Sequence, residues 1–164
     1  MTPTLLLAVA LQAAPVAAVP VTFSPEGTGW ALISNASGTV AIADGHLDIH
    51  LEDLRISRSP NTTGTIKLTS YRVCLAYQKT ETAWDMATCS EPKKLRLTVE
   101  PDNVQSIQDT DLEVSTSGLP PLDLFWLVIE LESPLKGRGI SHMYSRTRKD
   151  IFKVPASGAL GDGR

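Results

Sequence analysis

Cysteine is scarce in this chain, with two residues among 164. That excludes a disulfide-dense miniprotein, and the absence of any C-x-x-C pair removes the usual thiol-based metal and redox motifs. Glycine and proline, 11 of each, are too few for collagen, no heptad pattern supports a coiled coil, and no internal repeat is visible. Catalytic signatures are missing as well: there is no G-x-S-x-G, H-E-x-x-H, phosphate-binding glycine loop or dinucleotide fingerprint. Three histidines allow a Ser–His–Asp triad in principle, but a triad is defined by geometry rather than by sequence. Beyond the N-terminus no apolar stretch reaches the roughly 20 residues that span a bilayer, because Pro120, Pro121 and Asp123 interrupt the other apolar region. What is present has ordinary globular proportions: 42 % apolar, 20 % charged, formal charge −3. A chain of this length can bury a core as one domain.

The first 18 residues read as an address. No charged side chain occurs before Val19, an apolar run begins at Leu5, Pro15 breaks it, and Val16, Ala17 and Ala18 are small. This is the layout of a secretory signal peptide over residues 1–18, cleaved after Ala18. The expected mature protein is one domain over residues 19–154 with a disordered tail over 155–164 (PASGALGDGR). Its expected location is outside the cell, in the periplasm or in the cell envelope, with no transmembrane segment after cleavage. Cys74 and Cys89 then form a structural disulfide, since such bonds persist in those compartments. On the chain-entropy model, closing that loop stabilises the fold by about 3 kcal/mol. Asn35-Ala36-Ser37 and Asn61-Thr62-Thr63 are sequons, used if the source is eukaryotic.

Period-two alternation dominates the mature part. Asp44-Gly45 predicts a two-residue type I′ hairpin, pairing Ala43 with His46, Ile42 with Leu47, Ala41 with Asp48 and Val40 with Ile49. The apolar members then share one face. After Leu51 the apolar parity shifts to Leu54 and Ile56, which predicts a bulge at Glu52-Asp53. Residues 65–78 alternate as a long strand. A second hairpin, with Thr80 to Ala83 as its loop, sets Lys79 against Trp84, Tyr77 against Met86 and Cys74 against Cys89. Leu95, Leu97 and Val99 mark another half-buried strand, and Leu112 with Val114 a short one. The near-continuous run Leu122 to Leu131 (LDLFWLVIEL) reads as a strand buried on both faces, and one further strand is expected after Gly139. Together these predict an all-β fold: an antiparallel β-sandwich, immunoglobulin-like or jelly-roll-like, with a barrel as the second architecture.

Three groups of side chains stand out. His46, Asp48 and His50 share one strand face, and imidazole with carboxylate suits Zn or Cu. Residues four apart on a strand are separated by about 13 Å, so the two histidines cannot share one ion. His46 and Asp48, completed by His142 from elsewhere, form the candidate metal site, set against the plain reading of a solvated strand face. Asp109, Asp111 and Glu113 alternate on another face and read as a solvated acidic edge. From Lys136 to Lys153, six basic residues stand against the single acid Asp150, whereas the body before them is acidic. Arg138, Arg146, Arg148 and Lys149 are therefore candidate anion-binding residues. Nucleic acid is not expected: the protein is exported and acidic, and only Tyr144 and Phe152 could stack on bases.

The function these features point to is a secreted, non-catalytic β-sandwich binding module for adhesion or envelope assembly. Its expected partner is a protein or a glycan, with a possible anionic surface contact and no cofactor. Two alternatives stay open: a Zn- or Cu-binding protein or metal-dependent enzyme built on His46, Asp48 and His142, and a barrel-shaped carrier of a hydrophobic ligand.

Overall fold

The computed structural model describes residues 18–23, 26–27 and 29–142. Most of the expected signal segment (residues 1–17), the candidate residues Arg146, Arg148 and Lys149, and the expected tail over 155–164 lie outside the described residues. In chain order the strands are β1 (Val19–Phe23), β2 (Glu26–Gly27), β3 (Ala31–Ala43), β4 (His46–Arg58), β5 (Ile66–Gln78), β6 (Trp84–Cys89), β7 (Lys93–Val99), β8 (Gln105–Ser115), β9 (Phe125–Ser133) and β10 (Gly137–His142). A single 3-10 turn, Leu122–Leu124, precedes β9. No helix among the described residues is long and apolar enough to cross a membrane.

The Asp44-Gly45 hairpin sets the register of the first sheet. All four expected pairs form, and Thr39 faces His50 next in line. The turn itself differs from the expectation. Only Gly45 takes a positive φ, 79°, and Asp44 does not, so the turn is not type I′, which needs positive φ at both central residues. The Thr116 amide donates to the Gly45 carbonyl at 2.8 Å and ties this turn to the end of β8.

The predicted bulge is present. Gly38 pairs with Leu51 and Ser37 with Asp53, leaving Glu52 as the extra residue of β4. The bulge brings the His50 carbonyl so close to Gly38 that a Cβ there would collide with backbone. Opposite Glu52, Asp109 in β8 adopts φ 50°, a left-handed conformation that Asp tolerates better than most residues. Inward positions change parity in both strands at this point: Leu51 and Leu54 in β4, Ile107 and Thr110 in β8. Both strands make the same step, so their mutual register survives.

The second hairpin forms with one correction. Cys74 faces Cys89, and the two are bonded. Nearer the turn, however, Gln78 rather than Lys79 faces Trp84, and Ala76 rather than Tyr77 faces Met86. A shift between Leu75 and Ala76 absorbs the difference and leaves Ala87 as the extra residue of β6. The five-residue loop closes on the Ala83 carbonyl, which accepts from the Lys79 and Thr80 amides.

Two antiparallel sheets result. One has the order β1-β3-β4-β8, with β2 continuing β1 along β3; the other runs β10-β9-β5-β6, with β7 continuing β6 along β5. No ladder joins the sheets among the described residues, so they do not close into the barrel held as the second architecture. Counted from β3, with β6 and β7 as one edge strand, the second and fifth strands are neighbours in one sheet. The third and sixth are neighbours in the other. This is the layout of an antiparallel β-sandwich.

Inward side chains of both sheets form one cluster that includes Val40, Leu47, Ile49, Leu112, Val73, Leu75, Leu127 and Ile129. β9 is buried on both faces, as its unbroken apolar run predicts. Its inward residues join that core. Trp126 and Val128 instead pack with Cys74 and Ala76 in a satellite cluster against Trp84, Met86 and Cys89.

Candidate functional site

The outward face of β4 and β8 sets two histidines and four carboxylates side by side. Outward positions on β4 are His46, Asp48 and His50; on β8 they are Asp109, Asp111 and Glu113. The register sets Asp48 against Glu113 and His50 against Asp111. The sequence places each trio on one face of its own strand, and the fold lays the two faces side by side.

Two different imidazole environments result. The His50 Nδ1–H donates to Asp111 Oδ1 at 2.7 Å, and its Nε2 lies 3.9 Å from Asp109 Oδ1. The hydrogen bond to Asp111 is the chief cause that raises the His50 pKa above its ordinary 6.5, with the charges of Asp111, Asp109 and Glu52 adding to it. His46, next to the turn, has Nδ1 at 3.3 Å from the Asp44 carbonyl oxygen and Nε2 at 3.4 Å from Asp48 Oδ1. Nitrogen and oxygen atoms of His46, Asp48 and Glu113 lie within 4.8 Å of one another.

A groove of about 510 Å³ runs beside this face. Asp48, His50, Asp111 and Glu113 line it from the first sheet, Glu91 from the β6–β7 connection and Lys93 from the start of β7. It therefore crosses the side of the sandwich where β8 approaches the β6–β7 edge.

Farther along β4 lies a cluster with a structural task. Asp53 Oδ1 accepts from the Ser106 hydroxyl at 2.7 Å; its Oδ2 accepts from Asn35 Nδ2 at 3.1 Å and Arg55 Nε at 2.8 Å. These bonds, the one from Ser106 foremost, hold the Asp53 carboxyl below its ordinary 3.8. The stability they contribute is present above that ordinary value and is lost as pH falls through the lower, folded value. They also join β3, β4 and β8 just past the bulge. Asn35 of the first sequon is thus half-buried and engaged with Asp53, whereas Asn61 is exposed on the loop after β4.

Other expected site residues fall elsewhere. His142 sits on β10 at the outer edge of the second sheet, in register with Val128, while His46 and Asp48 belong to the first sheet. Arg138 is in register with Glu132 on the same edge. A second groove, of about 640 Å³, lies on that sheet between Lys94 and Arg96 of β7 and Glu132 of β9. Glu113 is the functional candidate that joins His46 and Asp48. Its alternation with Asp109 and Asp111 is visible in the sequence, but its neighbour across the sheet is not.

No protein-family model matches this chain, and neither the curated proteins nor the solved structures contain a match to it.

Proposed function

We propose that this protein is an exported, non-catalytic binding module that presents the acid–imidazole face of β4 and β8 to a partner protein rich in Lys and Arg. The observation that carries the reading is the ladder itself. Asp48, Asp109, Asp111 and Glu113 share one outward face of two paired strands, with the imidazoles of His46 and His50 among them. A sheet holds such side chains at fixed spacing without ordering a loop, so little conformational entropy is lost on binding. Its charge attracts a basic surface and raises the association rate. The charge-free leader and the Cys74–Cys89 disulfide support the exported part of the reading.

A Lys/Arg-rich peptide and an Asp/Glu-rich peptide of equal length provide the test, measured by titration at low and at high salt. The basic peptide is expected to bind, to weaken as salt rises, and to weaken further in the D109N/D111N double variant. Equal binding of both peptides, or no effect of the double variant, counts against the reading.

A further inference from the structure

His46 is oriented from behind. A carbonyl oxygen can only accept, so the 3.3 Å contact between Nδ1 and the Asp44 carbonyl places the ring hydrogen on Nδ1. In the neutral ring Nε2 then presents a lone pair, and it points at another acceptor, Asp48 Oδ1, 3.4 Å away. Glu113 stands directly across the sheet from Asp48. Two carboxylates at facing positions on adjacent strands repel each other. Among the described residues neither forms an ion pair with Lys or Arg; the one ion pair in this group is His46 with Asp48. Three acceptors therefore converge on a single point, and only a proton on Nε2 or a cation between them turns that repulsion into attraction. Donation of the distal ring N–H to a backbone carbonyl is the arrangement that positions metal-ligating histidines.

We propose that His46 Nε2, Asp48 and Glu113 form a binding site for one divalent transition ion of the Zn²⁺ type. The donor set of one imidazole and two carboxylates favours Zn²⁺ or Cu²⁺ over Ca²⁺ and Mg²⁺, which prefer all-oxygen shells. Three protein ligands leave at least one position open to water or to a group on a partner. His50 takes no part: it stands four residues along β4 from His46, about 13 Å away, and its imidazole faces Asp109 and Asp111 instead. The ligand set differs from the one the sequence suggests in that Glu113, on the neighbouring strand, stands in the place given to His142. The site does not depend on the peptide-binding reading, and the two fail separately: a face that binds basic peptide but no metal overturns this proposal alone.

The test is equilibrium titration of the full, tag-free mature chain with Zn²⁺ alone. One ion per chain is expected, with binding weakened about tenfold or more in both H46Q and E113Q and unchanged in D102N, which removes an exposed loop carboxylate elsewhere. Affinity should also fall as pH is lowered, because protons compete with the ion for its ligand atoms. Co²⁺ in place of Zn²⁺ should give visible absorption bands that vanish in H46Q. Circular dichroism spectra of both variants matching the unaltered chain establish that any loss arises at the site. The absence of stoichiometric Zn²⁺ binding overturns the proposal, and so does equal affinity in folded H46Q and E113Q.

Discussion

The two sheets bury one face each against the other, yet their outer faces are opposites. On the first sheet the outward residues of β4 and β8 are His46, Asp48, His50, Asp109, Asp111 and Glu113, a wet ladder of ionisable groups. On the second sheet the outward residues of β5 and β9 around the disulfide are Cys74, Ala76, Trp126 and Val128, all buried and packed with Trp84, Met86 and Cys89, with the Arg72–Glu130 ion pair next along the same face. The Trp84 and Trp126 rings stand 6.5 Å apart. One outer face is therefore built to meet water and solutes, while the other behaves as a second small core. Strand alternation carries the distinction: residues 46–51 of β4 and 111–115 of β8 switch between polar and apolar at every step, and β9 does not switch at all until Glu130.

Truncating Trp126 to Ala is the sharpest way to break that contrast. A buried aromatic removed from a packed cluster costs about 3–5 kcal/mol, whereas Thr39→Ala on the outer face of the first sheet should stay within about 1 kcal/mol. Urea unfolding of both variants measures the difference, and equal costs would mean that the second sheet's outer face is not a core. Next in size is the disulfide. Replacing Cys74 and Cys89 together with Ala should cost about 3 kcal/mol by the loop-closure argument, read as a shift of the unfolding midpoint that added reductant does not enlarge.

Gly38→Ala tests the first sheet from its own side. The new methyl group has to displace the His50 backbone beside the Glu52 bulge, at a cost of about 1–3 kcal/mol. Because the bulge positions His50, the same variant should also move the His50 imidazole signals in NMR spectra.

The smallest effect concerns His50 itself. Its pKa lies above the ordinary 6.5, chiefly through the Asp111 hydrogen bond and only secondarily through Asp109. D111N should therefore lower the His50 titration midpoint more than D109N does. The folded state holds this proton more tightly than the unfolded chain, so the stability it contributes is fully present below the unfolded pKa. That stability is lost as pH rises through the folded pKa. In H50Q that portion of the pH dependence should disappear, with the acid limb from Asp53 left in place.

Much of this architecture is legible in the sequence wherever the deciding interactions are close in the chain. The Asp44-Gly45 turn fixes four pairs of β3 with β4, the parity change after Leu51 marks the bulge, and the cysteines mark their own facing positions. The errors are local too. The shift at Ala87 is invisible because Trp84 and Met86 keep one alternation while the pairing beneath them slips by one. The positive φ expected at Asp44 does not occur, since the structure closes the turn with Gly45 alone.

What the sequence by itself determined is which face of each strand each side chain occupies, because the side-chain period of two is a property of the strand alone. It could not determine which strands are neighbours. β4 and β8 are separated by the whole of β5, β6 and β7, and half-buried strands of similar alternation can pair in many orders. The tertiary structure made that choice by burying Leu112 and Val114 beside Leu47 and Ile49. Glu113 arrives opposite Asp48 only as a consequence of that packing.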